Sequence, residues 1–389
     1  MAHPRSAFGV LAGRTEPEAL PFGRRKRQAV CVRPQPPQGG AASGPAKPVP
    51  RRPLGWPASS QLLVLAALQL PVGLVAQSPP PVVNLAKLDY GLKARALADG
   101  VYVVEGAVDD FALANGCNII NTGFITTGAG VLVINTGVSR RYGEQLRALI
   151  KRTTAEPVLQ VIHLNLHPDY FLGNQAFADV PILATTTTRA GMAREAKAYE
   201  DNLYRLCGDW MKGTEAKLPT QSIGPGPLRI GQREFELREW RGHTDSDLVL
   251  VDKTSGVAFV GGLVFADRVP TTPHADPRAW LRSLDAMVAA PSSSGASAAG
   301  GLTLATVVPS HGPVHDGQRG LQQTRAYLQW LDSSFGRWAG QGWEMNEVLR
   351  ATPPEPFARW AAWPAEYTRN VAHLYPRYER AALQRSKPP

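Results

Sequence analysis

Short β-branched runs with period-two alternation recur along the chain from about residue 98 onward, and stretches of helical spacing interrupt them. Residues 98–104, 119–126 and 130–134 read as strands separated by Gly and Asp/Asn turns. Residues 140–152 then place Leu146, Leu149 and Ile150 on one helical face. Residues 158–164 form the next strand and 182–184 another, and 190–211 is largely helical. Two strands follow within 228–240, then strands at 248–251 and 257–260 and a helix at 277–289. A Ser/Gly/Ala linker covers 291–301. From Gly320 the spacing of Leu321, Ala326, Tyr327, Trp330 and Leu331 is helical, and the aromatic side chains of this end, Trp338, Trp343, Trp360 and Trp363 among them, are expected to pack tail helices onto the rest. Strands in two groups, each backed by helices, predict an α/β protein built as a four-layer α/β/β/α sandwich with a helical C-terminal appendage.

Composition changes the picture only at the N-terminus. Residues 1–60 are rich in Pro, Gly, Ala and Arg without any period, a composition that cannot bury a core. Ten basic residues against Glu16 and Glu18 give this leader +8 of the formal net charge of +10. The basic balance therefore does not argue for nucleic acid, which needs a charged patch on a folded face. Residues 61–76 form a short apolar run, broken by Pro71, preceded by Arg51-Arg52 and followed by Gln77-Ser78-Pro79. That is the form of a secretory signal, too short for a stable membrane span, and it predicts a mature protein beginning near Gln77 in the periplasm. Twin-arginine export and an uncleaved anchor are the alternatives. Cys31 lies in the leader, which leaves Cys117 and Cys207 as a disulfide or as two free thiols.

The candidate chemistry begins where the 158–164 strand runs into Asn165-Leu166-His167-Pro168-Asp169-Tyr170. Asn165, His167 and Asp169 stand two apart, so a strand end and the turn opened by Pro168 can aim all three into one cavity. Imidazole and carboxylate are the ligands a borderline cation takes, although a His and an Asp at a strand end also serve as plain hydrogen-bonding rim residues. Gly242-His243-Thr244 and Pro309-Ser310-His311-Gly312 each add a histidine directly after a strand. No G-x-S-x-G elbow and no P-loop is present.

This order of strand-end residues resembles the metallo-β-lactamase superfamily, whose zinc hydrolases read H-x-H-x-D-H, then G-H-T, then a G-D after a strand, then G-H-G. More closely the chain is similar to the quinoprotein relay system zinc metallohydrolases, relatives of SoxH-type proteins. Phe171-Leu172-Gly173-Asn174-Gln175-Ala176-Phe177, Asp201-Asn202-Leu203-Tyr204-Arg205 and Pro270-Thr271-Thr272-Pro273-His274-Ala275-Asp276 are among the phrases that carry the likeness. It implies a metallo-β-lactamase-type domain over 88–318, after the 1–60 leader and 61–76 signal segment, and a helical extension over 319–389. It also implies metal positions at His167, Asp169, His243 and His311, with Asp169 as the catalytic carboxylate. Three of the family's metal positions are replaced, by Asn165, Tyr170 and Gly262, and Asn135 replaces the Asp of an early turn. Without a carboxylate at Gly262 nothing protein-borne bridges two dications, so the resemblance implies one zinc ion or none. His274 and Asn174 are further cleft candidates. His163 is expected to be a core histidine bonded to a carbonyl, and His315 to be solvated. Two functions follow: an exported hydrolase of a carboxylic or thioester-like small molecule serving a quinoprotein dehydrogenase system, or a binding relative that kept the cleft and lost hydrolysis.

Overall fold

The computed structural model describes residues 83–288, 301–302 and 304–385. The leader, the signal-like run and nearly all of the 291–301 linker lie outside the described residues.

The first sheet holds seven strands in sequence order: β1 (Arg95–Ala98), β2 (Val101–Val104), β3 (Thr122–Thr126), β4 (Val131–Ile134), β5 (Val158–Ile162), β6 (Ile182–Ala184) and β7 (Gln221–Ser222). It is antiparallel from β1 to β4 and parallel from β4 to β7. Helices α1 (Arg140–Thr153), α2 (Pro168–Phe171) and α3 (Thr186–Cys207) lie in the connections of the parallel half. The run expected as one strand over 98–104 turns back at Asp99-Gly100, because Gly100 adopts φ +67°, where a side chain would also strike Thr126 and Arg233. α3 begins four residues earlier than its apolar spacing suggests, since Thr185 caps it by accepting the Thr188 N–H at 3.1 Å.

The second sheet runs β13-β12-β11-β10-β9-β8, with β8 (Gly226–Ile230), β9 (Arg233–Trp240), β10 (Asp247–Asp252), β11 (Val257–Phe265), β12 (Thr306–His311) and β13 (His315–Asp316). All its pairings are antiparallel except β11 with β12. α4 (Pro277–Val288) lies between β11 and β12, and α5 (Arg319–Gly340), α6 (Met345–Val348) and α7 (Ala365–Arg385) follow β13. β11 does not stop at Val260 as expected; it continues through Gly261 and Gly262 to Phe265, with its register to β12 shifting on both sides of Gly261.

Side-chain alternation sorts these strands into layers. Val131 and Val133 face α1 and α3 in one core, while Leu132 and Ile134 face the other sheet in a second. Across the gap, Leu248 and Leu250 of β10 join that inter-sheet core, and Val249 and Val251 join a third core with Trp280 and Leu284 of α4 and Leu321 and Leu328 of α5. The result is helix, sheet, sheet, helix. A fourth core of Tyr327, Leu331, Phe335, Val371 and Leu374 holds α5 and α7 together, and Trp330 and Trp360 pack within 6.1 Å of Tyr327 there, as expected of the aromatic tail.

Cys117 and Cys207 form a disulfide across 90 residues, tying the segment before β3 to the end of α3. Both are fully buried beside Tyr90 and Trp210. Closing so long a loop restricts the unfolded chain, so Cys117→Ser is expected to cost about 2–5 kcal/mol. Thermal melts of this variant and of the wild type with and without reductant should coincide only when the wild type is reduced; equal melting of variant and oxidised wild type would remove the disulfide from the account.

Candidate functional site

Strand ends along one edge of the sandwich deliver the cluster. β5 stops at Ile162, and the chain then turns through 163–167 into α2, with His167 in extended conformation as N-cap and Pro168 at the first helical position. Asn165 holds this turn, its Oδ1 accepting the His167 N–H at 3.0 Å. His243 stands in the turn before β10, whose conformation is set by Asp247 accepting from both the N–H and the hydroxyl of Thr244 at 2.8 and 3.0 Å. His311 ends β12. Residues 266–276, between β11 and α4, bring Thr271 and His274 over the same place.

The four expected metal positions come together, and they are bonded to one another and to their neighbours. Asp169 Oδ2 and His311 Nε2 are 2.8 Å apart, and Ser310 Oγ lies 2.9 Å from the other nitrogen of His311. His167 Nε2 meets His274 Nδ1 at 3.1 Å. Asn165 Nδ2 donates to His243 Nδ1 at 3.2 Å, and His243 Nε2 lies 3.3 Å from the Thr271 hydroxyl. The rings of His167 and His243 sit edge to face with centroids 4.5 Å apart, and Phe265 stacks on His311 at 5.0 Å. His167, Asp169, His243 and His311 are all buried; His274 is the half-exposed member.

Burial dominates the electrostatics. It drives His167 and His243 well below the ordinary imidazole range, reinforced by neighbouring histidines, and it lowers His311 in spite of the carboxylate beside it. For Asp169 burial acts the other way, yet the His311 hydrogen bond and the surrounding imidazoles hold its pKa below the usual value. At neutral pH the pair is thus a carboxylate accepting from a neutral imidazole protonated at Nε2, whose Nδ1 accepts from Ser310. Burial pushes Asp247 up to about 7, against the hydrogen bonds from Thr244, and its Oδ1 lies 3.4 Å from His243 Nδ1.

Gly262 explains how the imidazole of His243 is seated. A Cβ at Gly262 would lie 1.9 Å from His243 Nδ1 and 2.6 Å from Asn165 Nδ2. The room that a side chain at position 262 would need is filled by the His243 ring. Among the described residues no three His, Cys, Asp or Glu side chains are arranged to hold a metal ion. The donor types suit zinc, but as placed they do not fit it: His167 Nε2, both nitrogens of His243, His311 Nε2 and Asp169 Oδ2 are directed at other side chains.

The remaining expectations resolve as follows. Tyr170 packs in the inter-sheet core with its phenol at the edge of the cluster, its ring 6.5 Å from that of His167 and its side chain near Ser310 and Asn165, and burial raises its pKa well above the ordinary phenol value. Asn174, expected in the cleft, is instead buried with His163, Thr136 and the Lys217 carbonyl as its hydrogen-bond partners. His163 accordingly is a core histidine, its Nε2 2.8 Å from the amide oxygen of Asn174, with the Tyr170 backbone also beside its ring. His315 is buried, not solvated, because Gly320 at the start of α5 closes over it. Thr271, Ser310 and Asp247 belong to the cluster but went unread. Only the phrase around Thr271 and the adjacency of Ser310 to His311 pointed their way.

His163 gives a direct test of this burial. Burial lowers its pKa from 6.5 to about 4, so between these values the unfolded chain binds a proton that the folded chain refuses. Its contribution is complete above pH 6.5 and is lost as pH falls toward 4, an effect of about 3 kcal/mol. Urea melts from pH 7 to 4 should show a shallower loss of stability for His163→Gln than for the wild type; parallel profiles would mean that the ring protonates in place.

In sequence, residues 115–293 match the family model described as the Metallo-beta-lactamase superfamily. No curated protein matches the chain. Among solved structures it is similar to a metallo-beta-lactamase from Pontibacter korlensis, with 22% identity and a TM-score of 0.48 over 61% of this chain and 99% of that one. TMB-1 follows with 17% identity and a TM-score of 0.45 over 62% and 98%, and DIM-1 metallo-beta-lactamase with 18% and 0.43 over 61% and 96%. With two sheets layered between helices and this match spanning β3 to α4, the chain is a metallo-β-lactamase-fold protein.

Proposed function

We propose that this chain is an exported metallo-β-lactamase-fold protein that serves a quinoprotein dehydrogenase system by binding a small carboxylic or thioester-like molecule, and that it has given up the family's dinuclear zinc hydrolysis. The observation that carries the second half is the His243 ring in the niche above Gly262, with Asp169, His311 and His167 bonded to side chains rather than left facing a common point. Export is supported by the signal-like run at 61–76 and by the Cys117–Cys207 disulfide, a bond that persists in oxidising compartments. The quinoprotein association is supported by the sequence phrases around Asn174, Leu203 and His274 alone.

In this reading the cluster offers a ligand hydrogen bonds, not a Lewis acid. His274 is its half-exposed member, so a polar molecule reaches the buried imidazoles past that ring. Neutral imidazoles donate from one nitrogen and accept at the other, which suits a carboxyl or carbonyl group. A second reading, a hydrolase with one ion, is favoured by a single observation: His167 Nε2 and His274 Nδ1 face each other at 3.1 Å with the His243 ring close by.

Metal content separates the two. Mature protein purified without chelator should carry well under one zinc per chain, unchanged in His167→Ala, and should not turn over thioester or β-lactam reporters. A stoichiometric ion lost in His167→Ala would replace the binding reading with the one-ion hydrolase, and two ions per chain would overturn both.

A further inference from the structure

His274 is the half-exposed member of the cluster, and both α3 and α7 reach it. On α3, Glu195 Oε1 lies 3.9 Å from His274 Nε2, with the two side chains 27% and 24% exposed. Tyr199 stands one helical turn further along the same face, its ring 6.3 Å from that of Phe171, which follows Asp169 in α2. On α7, Asn370 donates to the Pro270 carbonyl at 2.8 Å and accepts the Thr272 hydroxyl at 2.7 Å, and Arg377 donates to the Ala275 carbonyl at 2.8 Å. His373, three residues after Asn370 and four before Arg377, therefore shares the face of α7 that covers residues 270–275.

Two of these side chains end in buried atoms that are not bonded. The Tyr199 hydroxyl and His373 Nδ1 are shut off from solvent, and neither has a hydrogen-bond partner among the described residues, although both side chains are only half-buried. His274 Nδ1 is engaged by His167 at 3.1 Å, while its Nε2 has the Glu195 carboxylate beyond hydrogen-bond reach. Unbonded buried polar atoms are costly, and three groups that owe hydrogen bonds around one solvent-reaching ring suit a polar molecule.

Charge decides what kind of molecule. Burial and the carboxylates of Glu195 and Asp169 raise the Tyr199 pKa, so the phenol is a donor at neutral pH, and a further negative charge beside it is disfavoured. Asp245 acts on His274 as another acid. The cations nearby are engaged: Arg194 bonds Glu195 at 2.9 Å, Arg369 bonds Asp110 and Glu366, and Arg377 is turned to the Ala275 carbonyl. A carbonyl oxygen without charge accepts from the phenol and avoids this repulsion.

We propose that Tyr199, His274 and His373 form a ligand-contacting rim, at which the Tyr199 hydroxyl donates to the uncharged carbonyl oxygen of an ester or thioester and the two histidines offer ring nitrogens to the same molecule. This rests on the binding reading above and names its ligand as an uncharged carbonyl compound. The buried cluster keeps its internal hydrogen bonds when the rim is filled, because His274 contributes only its free nitrogen.

The test uses the full mature chain and calorimetric titration with S-acetyl-N-acetylcysteamine, an uncharged thioester, and with acetate. The wild type should bind the thioester at least about tenfold more tightly than acetate. Tyr199→Phe should weaken thioester binding at least about tenfold, equivalent to about 1.4 kcal/mol, and leave the melting temperature unchanged or raised, since the hydroxyl it removes has no protein partner to lose. His373→Leu should weaken binding as well. Tyr204→Phe, at a ring 53% exposed on α3, should change nothing. Equal thioester affinity in Tyr199→Phe and the wild type would overturn the rim, and acetate binding as tightly as the thioester would overturn its preference for uncharged carbonyls. Should His373→Leu fail to fold, Tyr199→Phe decides alone. Neither probe binding the wild type would overturn the binding reading along with the rim, so the two failures are told apart.

Discussion

The structure of the site turns on one steric fact, that the position of Gly262 carries no side chain and the imidazole of His243 lies where one would start. With that ring seated there, Asn165 donates to its Nδ1, beside Asp247 at 3.4 Å, and the same amide holds the backbone of His167. His167 then faces His274, and Asp169 is left with His311. Buried polar groups are costly unless bonded, so once one donor has turned toward a neighbour the rest are driven to follow. Asn165 and Gly262 therefore act together: the Asn165 amide donates to His243 Nδ1, and a side chain at 262 would expel the ring.

That closed cluster sits where the layers of the fold meet the C-terminal extension. The two sheets deliver Asn165, His243 and His311 from strand ends, which fixes their positions to within what the inter-sheet core allows. Residues 266–276 follow β11 and are hydrogen-bonded to Gln323 of α5 and Asn370 of α7. Among the described residues, the fourth hydrophobic core joins Val269, from the segment that carries Thr271 and His274, to the helices of the extension.

Much of the fold was legible because its strands alternate cleanly. Leu132 and Ile134 against Val131 and Val133, and Leu248 and Leu250 against Val249 and Val251, encode two faces and hence two buried layers. The convergence of His167, Asp169, His243 and His311 was legible too, since the sequence places each at or soon after a strand end. What the sequence concealed was the pairing among these groups. Nothing in a string of letters says that the space at Gly262 will be filled by a histidine from another strand end, or that Asn174 turns to His163. Those outcomes depend on three-dimensional room and on which partner satisfies a buried atom first. β11 was read too short for a related reason: Gly-Gly is a turn signal locally, but the pairing with β12 carries the strand through it.

The central claim is that the donors of this cluster are spent on one another. Its most direct measurement is the long-range proton–nitrogen spectrum of the histidine rings in the mature protein at neutral pH, before and after one equivalent of Zn²⁺. The account predicts neutral rings in fixed tautomers, with His311 protonated at Nε2 toward Asp169 and His243 at Nε2 toward Thr271, and no change on adding zinc. Shifts of the His167, His243 and His311 ring nitrogens on adding zinc would show those lone pairs to be available and would contradict it.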